Sequence, residues 1–477
     1  LMCVGIGVWA FRRTKSSHDF FMAGRNLGVM LTAFAVFSST MSGFGFVGGP
    51  GLVYRMGMSS VWMVVCAGAG FVVTFSMLGK RLRLLGELKH CISLPDVMAA
   101  RYQSEAVRGW VSVAIVLGVM GYLATQILAM AVVMRDILIE SGVWAGISLE
   151  GCVAISCTVL LFYSITGGIV ASVYTDLVQG AVMVVSAILI FITVFFTFDG
   201  GLAEANQIIL EDNPEAMGPW GTLGIVGCLS WFFVFGFGYV GQPHVVTKIM
   251  MNKDVSDARH ILPVSMIGFV LTGLLWVGIG LAMRALVISG AHPPLDTPDA
   301  AANQFLQTYA HPLLAGVVFA GLFAAIMSTA DGFLNIGTAA IVHDLPKAIR
   351  GNSLNNELFW ARVVTFILTV LAAVFALYTG DLVALLGAFG WGTFAAALVP
   401  VVGLGLCWKQ ASPRAAIAAV IASLTINFGL KVGGITLPYN FDIGALALIV
   451  SLILFISISL LSPPKPLDPD VEAIMDL

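Results

Sequence analysis

Long apolar runs, separated by short polar stretches, pattern this chain from end to end. An α-helix needs about 20 apolar residues to cross the hydrocarbon of a bilayer. Runs near 1–11, 27–53, 59–79, 109–134, 147–170, 174–198, 220–247, 261–288, 312–342, 360–379, 381–407, 414–430 and 441–461 predict thirteen spans. The first is short and reads as the back half of an incomplete span. It carries no charged n-region or cleavage site of a signal peptide. The runs are continuous, unlike the alternating segments of a β-barrel. The pattern predicts an all-α polytopic membrane protein.

Two of the runs contain matched interruptions. The first reads Ser38-Ser39-Thr40-Met41-Ser42-Gly43-Phe44-Gly45 and then Gly48-Gly49-Pro50-Gly51. The second reads Gly236-Phe237-Gly238-Tyr239-Val240-Gly241-Gln242-Pro243. Proline removes a helix hydrogen bond and clashes with the preceding turn, so the second helix should open near Gly241. Unwound backbone at membrane depth survives only where protein or a water-filled cavity satisfies it. Five spans separate the starts of the two runs, an odd number, so the second enters from the opposite side. Paired broken helices of opposite direction mark the midplane site of an inverted-repeat transporter. The plainer reading is that the glycines let helices pack closely. Gly236, Gly238 and Gly241 also spell a dinucleotide-type glycine pattern. That pattern requires a preceding strand, whereas here Trp231 to Phe235 lie within a span.

A third feature is Asp331, which follows Ser328-Thr329-Ala330 in the middle of the 312–342 run. A carboxylate at that depth costs about 2.5–3.5 kcal/mol on the insertion scale and marks an ion or substrate route by default.

Composition sharpens the class. The chain is 59% hydrophobic and 10% charged, with net charge −3, against about 25% charge in soluble domains. The acidic balance offers no footprint for nucleic acid. Seven scattered cysteines form no CxxC pair, so neither a zinc site nor a disulfide framework is expected. Basic residues cluster in alternate loops: Arg12 to Arg25, Lys80 to Arg108, Lys248 to Arg259, Lys347 with Arg350, and Lys409 with Arg414. The other loops hold Arg55, Arg135, Arg284 and Lys431, and the loop at 199–219 is acidic. The positive-inside bias places the basic loops in the cytoplasm and predicts a multi-pass protein of the inner (plasma) membrane.

These motifs resemble the sodium:solute symporter family. Phe20-Phe21-Met22-Ala23-Gly24-Arg25-Asn26-Leu27-Gly28 leading to Ser39-Thr40-Met41-Ser42-Gly43 is similar to its opening. Gly167-Gly168 before Tyr174-Thr175-Asp176-Leu177-Val178-Gln179, Gly238 to His244, Ala325 to Thr329, and Pro400 with Trp408-Lys409 continue the match in order. The Gly-Gln-Pro-His stretch most resembles the bacterial sodium/proline branch. That branch carries aspartate where Thr40 stands and tryptophan where Phe235 stands. Members with a second sodium site use serines around Asp331 and Gly332.

The resemblance implies a LeuT-like fold of five-plus-five inverted repeats. It divides the chain into a truncated span and cytoplasmic loop (1–26), a first repeat (27–198), an extracellular loop (199–219), a second repeat (220–407), two extra spans (408–461) and a short cytoplasmic tail (462–477). It further implies a non-enzymatic importer driven by sodium. The solute is a small molecule, an amino acid such as proline or else a carboxylate or vitamin, and no oligomer is required.

By the same resemblance, the carbonyls of Ser38, Met41 and Ala325 and the hydroxyls of Ser328 and Thr329 surround one sodium ion. Sodium, like calcium and magnesium, is a hard cation that takes oxygen ligands. Asp176 and Asp331 are accessory charges. The alternatives are back-bonding for the two hydroxyls and a helix N-terminal role for Asp176. Polar and aromatic residues near the breaks supply solute candidates: Ser42, Tyr122, Gln126, Tyr239 and Gln242, with Phe235 and Trp391 as walls or gates. Gln126 could equally join two helices, and the two aromatics could simply pack. His244 reads as a satisfied polar residue near the cytoplasmic half, with a pH-sensitive group as the alternative. A solute sensor would carry a long cytoplasmic appendage, a channel would not need two matched breaks, and an intramembrane enzyme would need a nucleophile–base pair or metal cluster that is not evident.

Overall fold

The computed structural model describes residues 27–379, 383–463 and 466–477. The predicted span at 1–11, the motif residues Phe20 to Asn26 and the first two residues of the span at 381–407 lie outside them. Among the described residues the architecture is all-helical, with one isolated bridge, Leu27 to Asn252.

In chain order the helices are α1 (Val29–Thr40), α2 (Gly49–Met56), α3 (Val61–Leu88), α4 (Leu94–Tyr102), α5 (Glu105–Glu140), α6 (Leu149–Phe196) and α7 (Gly201–Asp212). There follow α8 (Gly224–Trp231), α9 (Pro243–Met250), α10 (Ala258–Ile288), α11 (Ala301–Thr308), α12 (Pro312–Ala339) and α13 (Leu345–Arg350). The last are α14 (Glu357–Thr379), α15 (Val383–Leu398), α16 (Pro413–Val432), α17 (Ile443–Leu461) and α18 (Pro469–Met475). Ten helical segments among the described residues are long and apolar enough to cross a membrane. Leu313, Phe196, Tyr378 and Leu461 are exposed, as lipid-facing side chains are in such a bundle.

The stretch expected as spans 147–170 and 174–198 is helical from end to end as α6. Its 48 residues would reach about 72 Å if straight, more than twice the hydrocarbon thickness of about 30 Å. Both ends nevertheless sit on one face. Phe196 borders a recess with Tyr309 and His311. Asn303 and Gln304, just before them, bond to Asp136 and Glu140 at the end of α5 from which the chain enters α6. The chain therefore crosses twice within this element.

Each broken run is built as expected from its local chemistry. α1 and α2 are separated by Met41-Ser42 and a π-helical turn, Phe44–Gly48. α8 and α9 are separated by a π turn, Phe232–Gly236, a 3₁₀ turn, Phe237–Gly241, and extended Gln242. Pro243 occupies the start of α9, where its missing N–H costs nothing. The two broken helices meet at the face expected to be cytoplasmic: Leu27 N–H donates to the Met251 carbonyl and Lys253 N–H to the Leu27 carbonyl. Tyr122, Phe235, Tyr239, Phe333 and Phe394 are among the largest fully buried side chains, and they gather around the two breaks.

Candidate functional site

The first break begins with hydroxyls that turn back on their own helix. Ser39 Oγ donates to the Val36 carbonyl at 3.0 Å and Thr40 Oγ1 to the Phe37 carbonyl at 2.7 Å. Such bonds compete with the helical ladder. Met41 then leaves it, with φ −95° and ψ 58°. Gln126 of α5 splints the opening: its Oε1 accepts Gly43 N–H at 3.0 Å and its Nε2 donates to Ser42 Oγ at 3.2 Å. No described N–H reaches the carbonyls of Ser38 or Met41.

The same break is pressed against α12. A Cβ placed on Gly43 would lie 3.1 Å from Ile326 Cγ1. Ile326 follows Ala325 and lies one turn before Thr329. The Thr329 hydroxyl is buried and makes no hydrogen bond, so it is not folded back onto its own helix. The side chain of Ser328, the other expected hydroxyl ligand, lies outside the described residues.

The intramembrane charges are arranged differently from the expectation. Lys248, counted with a cytoplasmic loop, is only 4% exposed. Its Nζ lies 3.0 Å from Asp176 Oδ2 and donates to the Ala35 carbonyl at 2.6 Å. The ammonium thus ties α9, α6 and α1 together. Asp331 Oδ2 accepts from Asn335 Nδ2 at 3.3 Å, and its Oδ1 is unpartnered. Asp176 and Lys248 are its charged neighbours, and Lys248 is itself paired with Asp176. Sequence reasoning missed Lys248 because a lysine at the end of an apolar run normally snorkels to water.

At the second break the backbone is covered by side chains. Trp391 of α15 donates Nε1–H to the Val234 carbonyl at 3.0 Å. Gln242 Nε2 donates to the carbonyls of Gly238, at 3.1 Å, and Trp391, at 3.3 Å. Gly238 is required there, because a Cβ would come within 2.8 Å of the Trp391 indole nitrogen. Phe235 and Tyr239 pack on Trp391 with ring centroids 5.7 and 4.8 Å away. The structure therefore gathers Ser42, Tyr122, Gln126, Phe235, Tyr239, Gln242 and Trp391 around the paired breaks. Gln126, however, has both ends of its amide engaged by the first break, as the helix-joining alternative requires. His244, read as satisfied, has no hydrogen bond at either ring nitrogen.

A cavity of about 20 Å³, room for about one water, lies on the side of this centre expected to be cytoplasmic. Asn335, Thr247, Ser93 and Asp344 are among its lining residues. Beyond it lies a dense ionic cluster. Asp96 pairs with Arg108, Lys347 and His343, and His343 Nδ1 reaches Glu357 Oε1 at 3.0 Å. Burial raises the Asp96 carboxyl, but His343 and Arg108 outweigh it and hold the group well below the usual range. Asp96, His343 and Asp344 stand close enough to share a metal, yet a guanidinium and an ammonium already supply the positive charge. At the opposite face Asp299 accepts Val383 N–H at 2.8 Å, and burial pushes its carboxyl up to about 6.

Known proteins match this arrangement. The model of the sodium:solute symporter family matches residues 20–423. The osmoregulated proline transporter OpuE of Bacillus subtilis is 29% identical over 87% of this chain and 84% of its own length. The sodium/proline symporter of Escherichia coli is 27% identical over 88% and 84%, and the sodium/pantothenate symporter of Haemophilus influenzae 27% over 95% and 92%. Among solved structures, a substrate-bound outward-open Na⁺-coupled sialic acid symporter superposes with a TM-score of 0.79 at 19% identity, covering 98% of this chain and 97% of that one. Mhp1, a nucleobase-cation-symport-1 family transporter, superposes with 0.56 at 13% identity, over 97% and 99%. The fold is LeuT-like.

Proposed function

This chain belongs to the sodium:solute symporter family, and from that premise we propose that it imports a zwitterionic amino acid, proline first, across the plasma membrane together with sodium. Sodium sits between the first break and α12, held by the carbonyls of Ser38, Met41 and Ala325 and the hydroxyls of Ser328 and Thr329. The observation that carries this reading is the buried, unpartnered Thr329 hydroxyl on a helix in contact with a break whose Ser38 and Met41 carbonyls lack N–H partners. Buried polar atoms are ordinarily satisfied, and a hard cation satisfies all three.

Proline is favoured over an anionic solute by charge. Around the second break the free polar atoms belong to Tyr122, Gln242 and His244. Lys248, the nearby lysine, is committed to Asp176 and Ala35. A carboxylate-only solute such as pantothenate would find no free counter-charge among the described residues, whereas a zwitterion brings its own.

Alternating access follows from the coupling. The ion joins α1 to α12 and thereby completes the solute site. If sodium favours solute, solute favours sodium equally in binding. One charge moving through 100 mV supplies about 2.3 kcal/mol. Release runs past Asp331 and Asn335 through the small cavity toward Asp344. Both sets of groups lie in one chain, so the reading needs no oligomer. The test is uptake of radiolabelled proline into proteoliposomes, with sodium and proton gradients imposed separately. Uptake that follows the sodium gradient is expected; uptake indifferent to it would sink the symport reading.

A further inference from the structure

At the second break, three polar side chains from three elements carry atoms with no partner. Tyr122 on α5, Gln242 in the extended link and His244 in the first turn of α9 are 0%, 0% and 2% exposed. Gln242 Oε1 and both ring nitrogens of His244 make no hydrogen bond, and neither does Tyr122 Oη, although Ser42 stands beside it. A histidine kept only for packing would be expected to satisfy at least one nitrogen, since buried side-chain polar atoms are in large majority paired. Here phenylalanine would fill the same space among the rings of Phe333, Tyr122 and Trp391, at centroid distances of 4.8, 5.9 and 6.0 Å.

We infer that His244 is a solute-recognition residue, one that contacts the transported molecule and selects for its carboxylate. The inference deepens the proposed import of a zwitterion and rests on it. A neutral imidazole offers one N–H and one bare nitrogen, a tyrosine hydroxyl offers a donor, and an amide oxygen only accepts. The free set therefore holds two donors, Tyr122 O–H and His244 N–H, and two acceptors, Gln242 Oε1 and the bare nitrogen of His244. It carries no net charge. Its complement is a neutral molecule with a carboxylate at one end and an N–H group at the other, which is an α-amino or imino acid. The carboxylate lies against Tyr122 and His244, and the ammonium N–H against Gln242. Trp391 and Phe333 wall the apolar part. Lys248, one turn further along α9, does not compete, because Asp176 and Ala35 hold it.

Position also argues for this role. Pro243 opens the helix one residue earlier, and Gln242 uses its amide nitrogen to cover the break while leaving its oxygen free. His244 is thus carried on the first turn after the opening, where a bound solute would bear directly on the broken helix.

The experiment compares His244→Phe, which keeps the ring packing and loses both nitrogens, with His244→Asn, which keeps a donor and an acceptor. The full chain is reconstituted in proteoliposomes with an inward sodium gradient. Uptake of L-proline is measured with and without competing L-prolinamide, and a melting curve for each variant establishes folding. The expected result is a rise of about tenfold or more in the half-saturating proline concentration for H244F, the loss expected when a hydrogen bond to a charged group is removed. The half-saturating sodium concentration at saturating proline stays where it was. The wild-type preference for proline over its amide shrinks in H244F and is largely recovered in H244N. An H244F protein with wild-type proline affinity and wild-type preference overturns the inference, as do equal losses in the two variants. A wild type that neither takes up nor binds proline brings down the amino-acid reading itself, a failure visible before any variant is made.

Discussion

The two broken helices are opened by similar residues and finished in opposite ways. At the first break the side chains close on themselves: hydroxyls of Ser39 and Thr40 fold back, and Gln126 fills the gap with both ends of its amide. What is left over is backbone, the carbonyls of Ser38 and Met41. At the second break the backbone is covered, by the Trp391 indole over Val234 and the Gln242 amide nitrogen over Gly238. What is left over is side chain, on Gln242 and His244. Bare carbonyl oxygen is a ligand for a small hard cation. Mixed donors and acceptors on side chains suit an organic solute. On the proposed function, two instances of the same defect thus become two kinds of site.

Lys248 is the sharpest way to break the comparison, because it is the ionic link between the halves: it sits on α9 of the second broken helix and bonds to Ala35 on α1 of the first. Lys248→Met leaves Asp176 buried and unpaired, a loss of about 3–5 kcal/mol. It should appear as a large drop in melting temperature. Adding Asp176→Asn should recover part of it, and a double variant no more stable than the single would refute the pairing.

Asp299 tests the outer half of the first broken helix, since a Cβ on Gly51 of α2 would touch its carboxylate and it caps Val383 of α15. Its carboxyl is raised to about 6 in the folded chain, so the native state holds the proton more tightly than the unfolded one. Stability therefore falls as pH rises from about 4 to about 6, with an upper bound on the order of 3 kcal/mol. Asp299→Asn should flatten that slope in melting curves taken across the window. An unchanged slope would clear Asp299 of any part in it.

Smaller effects separate ion from solute. Gln126→Ala strands the Gly43 N–H, at a cost of about 1–3 kcal/mol, and should raise the half-saturating concentrations of sodium and solute together, because it loosens the first break as a whole. A rise in one alone would contradict the splint role. Thr329→Val preserves shape and removes the free hydroxyl. It should raise the half-saturating sodium concentration about tenfold, worth about 1.4 kcal/mol, and leave the half-saturating proline concentration at saturating sodium unchanged. Sodium dependence equal to wild type would remove Thr329 from the ion site.

The helical architecture, the two breaks and the depth of Asp331 were legible in the sequence, because each depends on residues near one another in the chain. Apolar run length sets a span, Pro243 opens its own helix, and Ser39 and Thr40 reach carbonyls three residues back. The family-wide order of motifs was legible for the same reason. What the sequence could not assign was the partner of each polar group. Lys248 looked like a loop residue until α6 brought Asp176 to it across 72 positions. Gln126 stood equally for a solute contact or a helix joint until Gly43 occupied its oxygen across 83. His244 looked satisfied until its surroundings proved to be rings. Hydropathy and helix breaking are properties of a segment, and they survive in a one-dimensional reading. Satisfaction of a buried polar atom is a property of the few ångströms around it, and only the packing of distant helices decides what stands there.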